Sequence, residues 1–189
     1  PRLAAGGFDA RLLARYALGF WLATLLGYAT ATKVHFYPID VFRYGDFSNF
    51  YSLALLYLIV GLPFFFAGVC IAYLMSRAGD RVHRFYFSDL LGAGTGALLA
   101  VYGINHLGVE ATIYAVSATG AATALLFGWK LRGLRLLSTG ALAVSCLMTA
   151  LAAHHQIFPV YFPPDKIFRL AMEPHYFRWH AIARVDVLE

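Results

Sequence analysis

Long apolar stretches separated by short polar stretches dominate the hydrophobic pattern of this chain. Five of them carry few charges and reach about 20 residues, the length that an α-helix needs to cross a bilayer. They lie at residues 12–31, 50–76, 88–107, 109–129 and 134–153. The short connections between the last three predict antiparallel neighbours. The pattern therefore predicts an all-α, polytopic transmembrane helical bundle of about five spans.

The same pattern divides the chain into three parts. Residues 1–11 form a polar lead, residues 12–155 hold the helical domain, and residues 156–189 form an extramembrane tail. The tail contains four prolines, which interrupt helices, and apolar residues alternate near its end. We therefore expect an irregular or β-like tail that begins a further domain. A lone strand is not stable, so its partner is expected outside the chain, unless the tail is disordered.

Composition supports the membrane class. The chain is 60% hydrophobic and 13% charged, whereas soluble domains carry about a quarter charged residues. The net charge of +5 comes from short islands between the spans and indicates no nucleic-acid partner. Cys70 and Cys146 fall inside apolar stretches and are interpreted as small buried side chains. The expected partners are the lipid bilayer and other transmembrane helices or subunits.

The basic residues predict the orientation. Two of them, Lys33 and Arg43, lie in the loop after the first span. Nine lie on the opposite side: Arg2, Arg11, Arg15, Arg77, Arg81, Arg84, Lys130, Arg132 and Arg135. The positive-inside rule places the nine in the cytoplasm, which leaves the tail on the outer face. The expected location is a cell membrane, with these nine residues on its cytoplasmic side.

A row of small residues marks the third span as the predicted centre of the bundle. Spacing by four places its members on one helix face. The row consists of Ser88, Gly92, Gly96, Ala100 and Gly103. In lipid, such a face lets another helix approach closely. We expect the remaining spans to pack around this helix, or a neighbouring subunit to pack against the row.

The second span contains Gly61 and Pro63. Proline inside a helix removes one backbone hydrogen bond and usually kinks the helix. A static kink is the favoured interpretation. A hinge that lines a substrate path is the alternative, but such a path usually accompanies an inverted repeat, which the sequence does not show.

Two acids begin predicted spans. Asp89 is placed in the first turn of the third span, after Arg81 and Arg84, and Glu110 begins the fourth. The favoured interpretation is a helix N-terminal interaction, with a loop salt bridge for Asp89. The alternative is a carboxylate that handles a proton or a substrate.

Four histidines fall on the predicted outer face: His35, His106, His154 and His155. Imidazole is a common ligand for metals, so these residues form a candidate metal, haem or pigment site. Their spacing follows no fixed ligand pattern, and interfacial histidines are tolerated where water is near.

Two motifs resemble a known family. Leu62-Pro63-Phe64-Phe65-Phe66-Ala67-Gly68 and Phe85-Tyr86-Phe87-Ser88-Asp89-Leu90-Leu91-Gly92-Ala93 resemble the membrane region of bacterial spermidine synthase-like (polyamine aminopropyltransferase-like) fusion proteins. The terminal segment 179–187 looks like the first strand of the Rossmann-like domain that follows in that family. The resemblance implies a catalytic domain with an S-adenosyl-type substrate after residue 189. The family's cofactor loop and acidic catalytic residues would lie there, so none can be assigned in this chain.

The sequence therefore predicts a membrane-anchoring or assembly domain with no catalytic residue and no cofactor of its own. Whether the chain belongs to an enzyme is left open. Adenosyl chemistry is expected in the cytosol, whereas the basic residues place the tail outside. Two alternatives stay open: an accessory subunit of a larger respiratory or photosynthetic complex, and a transporter of a small, polyamine-like solute, which would need acids near the membrane midplane.

Overall fold

The computed structural model describes residues 8–34, 48–155, 157–158, 176–179 and 184–187. Five α-helices account for most of them: α1 (Ala10–Ala31), α2 (Ser48–Ser76), α3 (Val82–Leu107), α4 (Val109–Gly128) and α5 (Arg132–Ala152). A short 3₁₀ turn, Gly79–Arg81, precedes α3. All five helices are long and apolar enough to cross a membrane. The prediction of a multi-pass helical membrane protein is confirmed.

Helices α1 and α4 form the centre of the bundle. Helix α1 packs against both α2 and α4, and α4 packs against α5. The buried positions are mostly small, and most lie in these two helices: Leu13, Ala14, Ala17, Ala23, Ala111, Tyr114, Ala121 and Ala124. Small residues let helix backbones approach closely in lipid, where apolar side chains gain little from leaving the hydrocarbon.

Two large rings fill the gaps that glycines leave between these helices. A Cβ at Gly120 would lie 2.5 Å from the Phe20 ring, and a Cβ at Gly19 would lie 2.6 Å from the Phe66 ring. The first contact joins α4 to α1, and the second joins α1 to α2. Any side chain at either glycine would displace its ring.

Helix α3 lies at the edge of the bundle, so the expectation that the other spans pack around it is wrong. It contacts α4 and, to a small extent, α2. Every residue from 90 to 99 is exposed. Gly108, with φ of +88°, is the single residue between α3 and α4. Glycine adopts this left-handed conformation without steric cost, which allows so short a connection.

The ends of the helices are tied by local contacts. The Asp9 carboxylate caps α1 by accepting the backbone N–H groups of Arg11 (2.9 Å) and Leu12 (3.2 Å). The backbone N–H of Asp9 donates to the Tyr73 hydroxyl at 3.0 Å. This bond joins the beginning of α1 to the end of α2.

The described part of the tail contains an antiparallel pair of strands, β1 (Tyr176–Trp179) and β2 (Arg184–Val187). Tyr176 is opposite Val187, and Trp179 is opposite Arg184. The expectation that the terminal strand needs a partner outside the chain, or is disordered, is therefore wrong. The segment 179–187 is not a single strand either, since its first residue ends β1.

Candidate functional site

Glu110, in the first turn of α4, is a buried carboxylate. Its side chain is 7% exposed. A carboxylate is costly to remove from water unless hydrogen bonds compensate for the lost hydration. The position of Glu110 at the helix N-terminus contributes, because the helix dipole stabilises negative charge there.

Three donors satisfy this carboxylate. The Tyr114 hydroxyl, one turn along α4, donates to Oε1 at 3.2 Å. The backbone N–H of Phe158 also donates to Oε1, at 2.9 Å, and that of Ile157 donates to Oε2 at 3.0 Å. Hydrogen bonds to a charged acceptor are stronger than those between neutral groups. Glu110 therefore holds the chain that follows α5 against the beginning of α4.

An aromatic cluster surrounds this contact. Tyr28 of α1 meets Tyr114 edge to face, with ring centroids 5.9 Å apart. It meets the Phe158 ring in the same way at 6.4 Å. Edge-to-face pairs contribute roughly 0.5–1.5 kcal/mol beyond their buried area. We call Glu110, Tyr28, Tyr114 and the segment 157–158 the Glu110 clamp.

The hydrogen bonds of the Glu110 clamp hold one segment of the chain in place against α4. Both carboxylate oxygens already accept hydrogen bonds from the protein, and two of the three donors are backbone groups. Oε1 accepts two of these hydrogen bonds and Oε2 accepts one, so most of the acceptor capacity of the carboxylate is used within the protein. The arrangement is suited to fixing the position of a segment.

A chain of polar side chains continues from the clamp into the bundle. Trp21 Nε1 donates to Ser145 Oγ at 2.8 Å, and the Ser145 and Ser117 hydroxyls share a hydrogen bond of 2.9 Å. Ser117 Oγ donates to the Tyr114 carbonyl at 2.7 Å. Each hydroxyl has one proton, so Ser145 must donate to Ser117. This polar chain joins α1, α5 and α4.

Ser138 contrasts with these serines. It is fully buried on α5, and its hydroxyl oxygen has no hydrogen-bond partner among the described residues. An unsatisfied buried hydroxyl costs free energy.

Three of the four histidines of the predicted site lie in the part of the chain that the structure describes, and they do not form a metal-binding group there. His106, His154 and His155 are exposed, and His35 lies outside the described residues. The His106 ring stacks on Tyr102 with centroids 4.3 Å apart. Within the described ranges, no three His, Cys, Asp or Glu side chains lie close enough together to hold a metal ion.

The predicted location of Asp89 in a first helical turn is wrong. Helix α3 begins at Val82, so Ser88 and Asp89 lie two turns inside it. Residues 82–87, which include His83 and Arg84, form the first turns of this helix. The Ser88 hydroxyl instead donates to the Arg84 carbonyl at 2.9 Å. Asp89 is too far from the helix N-terminus for a dipole interaction, which falls off within the first turn.

Only one end of the predicted small-residue row packs within the chain. Gly103 is buried, and a Cβ there would lie 2.9 Å from Thr112 Oγ1 of α4. Ser88, Gly92 and Gly96 are exposed, and a Cβ at either glycine would meet open space. Ala100 is half-buried. Packing of the exposed part against another subunit stays a prediction.

The second span runs as one helix from Ser48 to Ser76 with Pro63 inside it. A kink at Gly61 and Pro63 stays a prediction. Phe64 and Phe65 are exposed, whereas Phe66 turns inward against Gly19.

From the sequence, Glu110 has only a local role at the start of a helix, because its backbone donors lie 47 and 48 residues further along the chain. The roles of Trp21, Ser117 and Ser145 were missed. The available signal was weak: serine is compatible with a transmembrane helix, and its own backbone can satisfy it. The pairing of Glu110 with Tyr114 at a spacing of four was the more accessible clue.

No protein-family model, no curated protein and no solved structure matches this chain. The function is therefore argued from the geometry of the described residues.

Proposed function

We propose that this chain is a membrane-anchoring and assembly domain, which fixes the position of the polypeptide that leaves the membrane after α5. The observation that carries the proposal is the Glu110 clamp. A buried carboxylate binds the backbone N–H groups of Ile157 and Phe158, five and six residues after α5 ends at Ala152. Because the donors are backbone N–H groups, these contacts fix the direction of segment 157–158 and do not depend on its side chains.

The segment so positioned would lead into a spermidine synthase-like domain, in a bacterial inner-membrane protein. The support for this part is the resemblance of residues 62–68 and 85–93 to the membrane region of those proteins. The membrane helices would then anchor the enzyme, and any S-adenosyl-type substrate would bind beyond residue 189. Aminopropyl transfer by the full gene product, abolished when the codons after 189 are deleted, is the expected result. If the full product transfers no aminopropyl group, the proposed enzymatic domain is refuted, whereas the proposed anchoring role still stands.

Hydrogen exchange measured by mass spectrometry tests the positioning role. In Glu110→Ala, we expect the 157–158 amides to exchange about 10- to 100-fold faster, the factor that corresponds to losing a charged hydrogen bond. Asp80→Asn, at an exposed acid in the 3₁₀ turn, is the matched control and should leave these amides unchanged. Equal exchange in wild type and Glu110→Ala would overturn the proposal.

A second candidate is an accessory subunit of a larger membrane complex. The exposed part of the small-residue row on α3 favours it, because such a face can receive another helix. Co-purification with a large complex in mild detergent, lost in Gly92→Leu, would support this role. A monodisperse single chain from native membranes would contradict it.

The structure gives less support to a transporter. Such a path would need a free acid near the middle of the bundle. Glu110 lies in the first turn of α4, and both of its oxygens accept hydrogen bonds from the protein. Uptake of labelled polyamine by vesicles that contain only this chain would support the transporter and contradict this argument.

A further inference from the structure

Two groups of basic residues that are distant in sequence lie at the same end of the bundle. A Cβ at Gly128 would lie 3.1 Å from the Cβ of Leu134 and 3.6 Å from that of Ala14. The C-terminal end of α4 therefore packs against the beginnings of α1 and α5 there. Arg11 and Arg15 flank Ala14 on α1. The other group surrounds the α4–α5 turn and consists of Lys130, Arg132 and Arg135.

All five side chains are exposed, and none forms an ion pair with a carboxylate among the described residues. The nearest acid in the sequence, Asp9, is engaged in capping α1. Five like charges held at one end of a small bundle repel one another unless anions lie among them. We call these five residues the basic corner.

Trp129 places the basic corner at the depth of the lipid headgroups. Its ring is 59% exposed, and the Arg135 guanidinium lies over it at 5.9 Å. Exposed tryptophan at the end of a transmembrane helix is typical of the membrane–water interface. The guanidinium is thereby held at the level where lipid phosphates lie.

We propose that the basic corner binds the headgroup of an anionic phospholipid from the adjacent leaflet. The phosphate would lie among the cations of α1 and the α4–α5 turn, with the acyl chains along the exposed surface of the helices. Phospholipid is the anion always present at this depth, and each Lys or Arg near an anionic surface strengthens the attraction about fivefold. This interaction is independent of the Glu110 clamp, which lies at the opposite end of α4.

Native mass spectrometry of the detergent-purified chain tests the proposal, with phosphatidylglycerol and phosphatidylcholine as probes. We expect wild type to bind phosphatidylglycerol at least about tenfold more tightly than phosphatidylcholine. The triple variant Lys130→Gln/Arg132→Gln/Arg135→Gln should lose this preference. The matched control Arg77→Gln/Arg81→Gln/Arg84→Gln removes the same charge from the α2–α3 turn and should keep it.

A second variant tests the tertiary part of the inference. Arg11 and Arg15 lie more than 100 residues from the α4–α5 turn in sequence. The variant Arg11→Gln/Arg15→Gln should nevertheless lower the preference for phosphatidylglycerol several-fold. If the triple variant does not fold, Lys130→Gln in the turn outside the helices should still lower the preference about fivefold. Equal losses in the basic-corner and control variants, or no preference in wild type, would overturn the proposal.

Discussion

Gly27 of α1 lies against the backbone of Ile59 in α2: a Cβ at Gly27 would be 3.3 Å from the Ile59 carbonyl oxygen. Within α2, that carbonyl would normally accept from residue 63, but Pro63 has no N–H to donate. The missing side chain of Gly27 lets α1 cover the carbonyl that the proline leaves without its helical donor. The two helices are therefore in close contact where α2 lacks a hydrogen bond.

A side chain at Gly27 should separate α1 from α2. We expect Gly27→Leu to lower the free energy of unfolding by about 1–3 kcal/mol, the usual cost of overpacking. Gly140→Leu is the control, because a side chain there meets open space, and it should be neutral or stabilising through helix propensity. Steric-trap or detergent unfolding measures both. Equal effects of the two substitutions would show that the close approach is unimportant.

The small-residue row on α3 should respond differently along its length. Gly103→Leu should weaken the α3–α4 contact, because its side chain would collide with Thr112. Gly96→Leu should leave the stability of the isolated chain unchanged, since its Cβ meets open space. Disulfide crosslinking between cysteines introduced into α3 and α4 measures the contact. Loss of crosslinking in Gly96→Leu would contradict the edge location of α3.

Removing the Ser145 hydroxyl should destabilise the bundle. Ser145→Ala leaves the Trp21 N–H without its acceptor and Ser117 without its donor. We expect a loss of about 1–2 kcal/mol in the free energy of unfolding. Thr139→Ala on the same helix is the control, because its exposed hydroxyl bonds only the Arg135 carbonyl. A double-mutant cycle with Trp21→Phe should show coupling between the two residues. Additive effects would show that the Trp21–Ser145 hydrogen bond does not contribute to stability.

Removing the Ser138 hydroxyl should not lower the free energy of unfolding, in contrast to removing the Ser145 hydroxyl. Ser138 and Ser145 are both fully buried on α5, but only Ser138 lacks a hydrogen-bond partner within the described residues. Ser138→Ala removes an unsatisfied polar group and should be neutral or stabilise the protein by up to about 1 kcal/mol. The same unfolding assay measures the change. A loss as large as that of Ser145→Ala would indicate that the Ser138 hydroxyl is bonded in the folded protein.

The sequence predicted the helices well and the contacts between them poorly. Hydropathy located all five helices, because a membrane-crossing segment must be long and apolar. The small-residue row pointed to α3 as the centre, yet Gly92 and Gly96 meet nothing within the chain. The helices that do form the centre have small residues as well, including Ala14, Ala17, Ala121 and Ala124. A small-residue face is necessary for close packing but does not identify its partner.

By itself, the sequence determined that the described part of this protein contains five helices long and apolar enough to cross a membrane, since backbone polar groups in hydrocarbon must be satisfied within each segment. The tertiary structure alone decided that α1 and α4 lie at the centre and α3 at the edge. An apolar side chain is equally stable against lipid and against another helix, so hydropathy does not distinguish inward from outward faces. The tertiary structure also decided the role of Glu110, because its backbone donors become neighbours only when the chain after α5 returns to the beginning of α4.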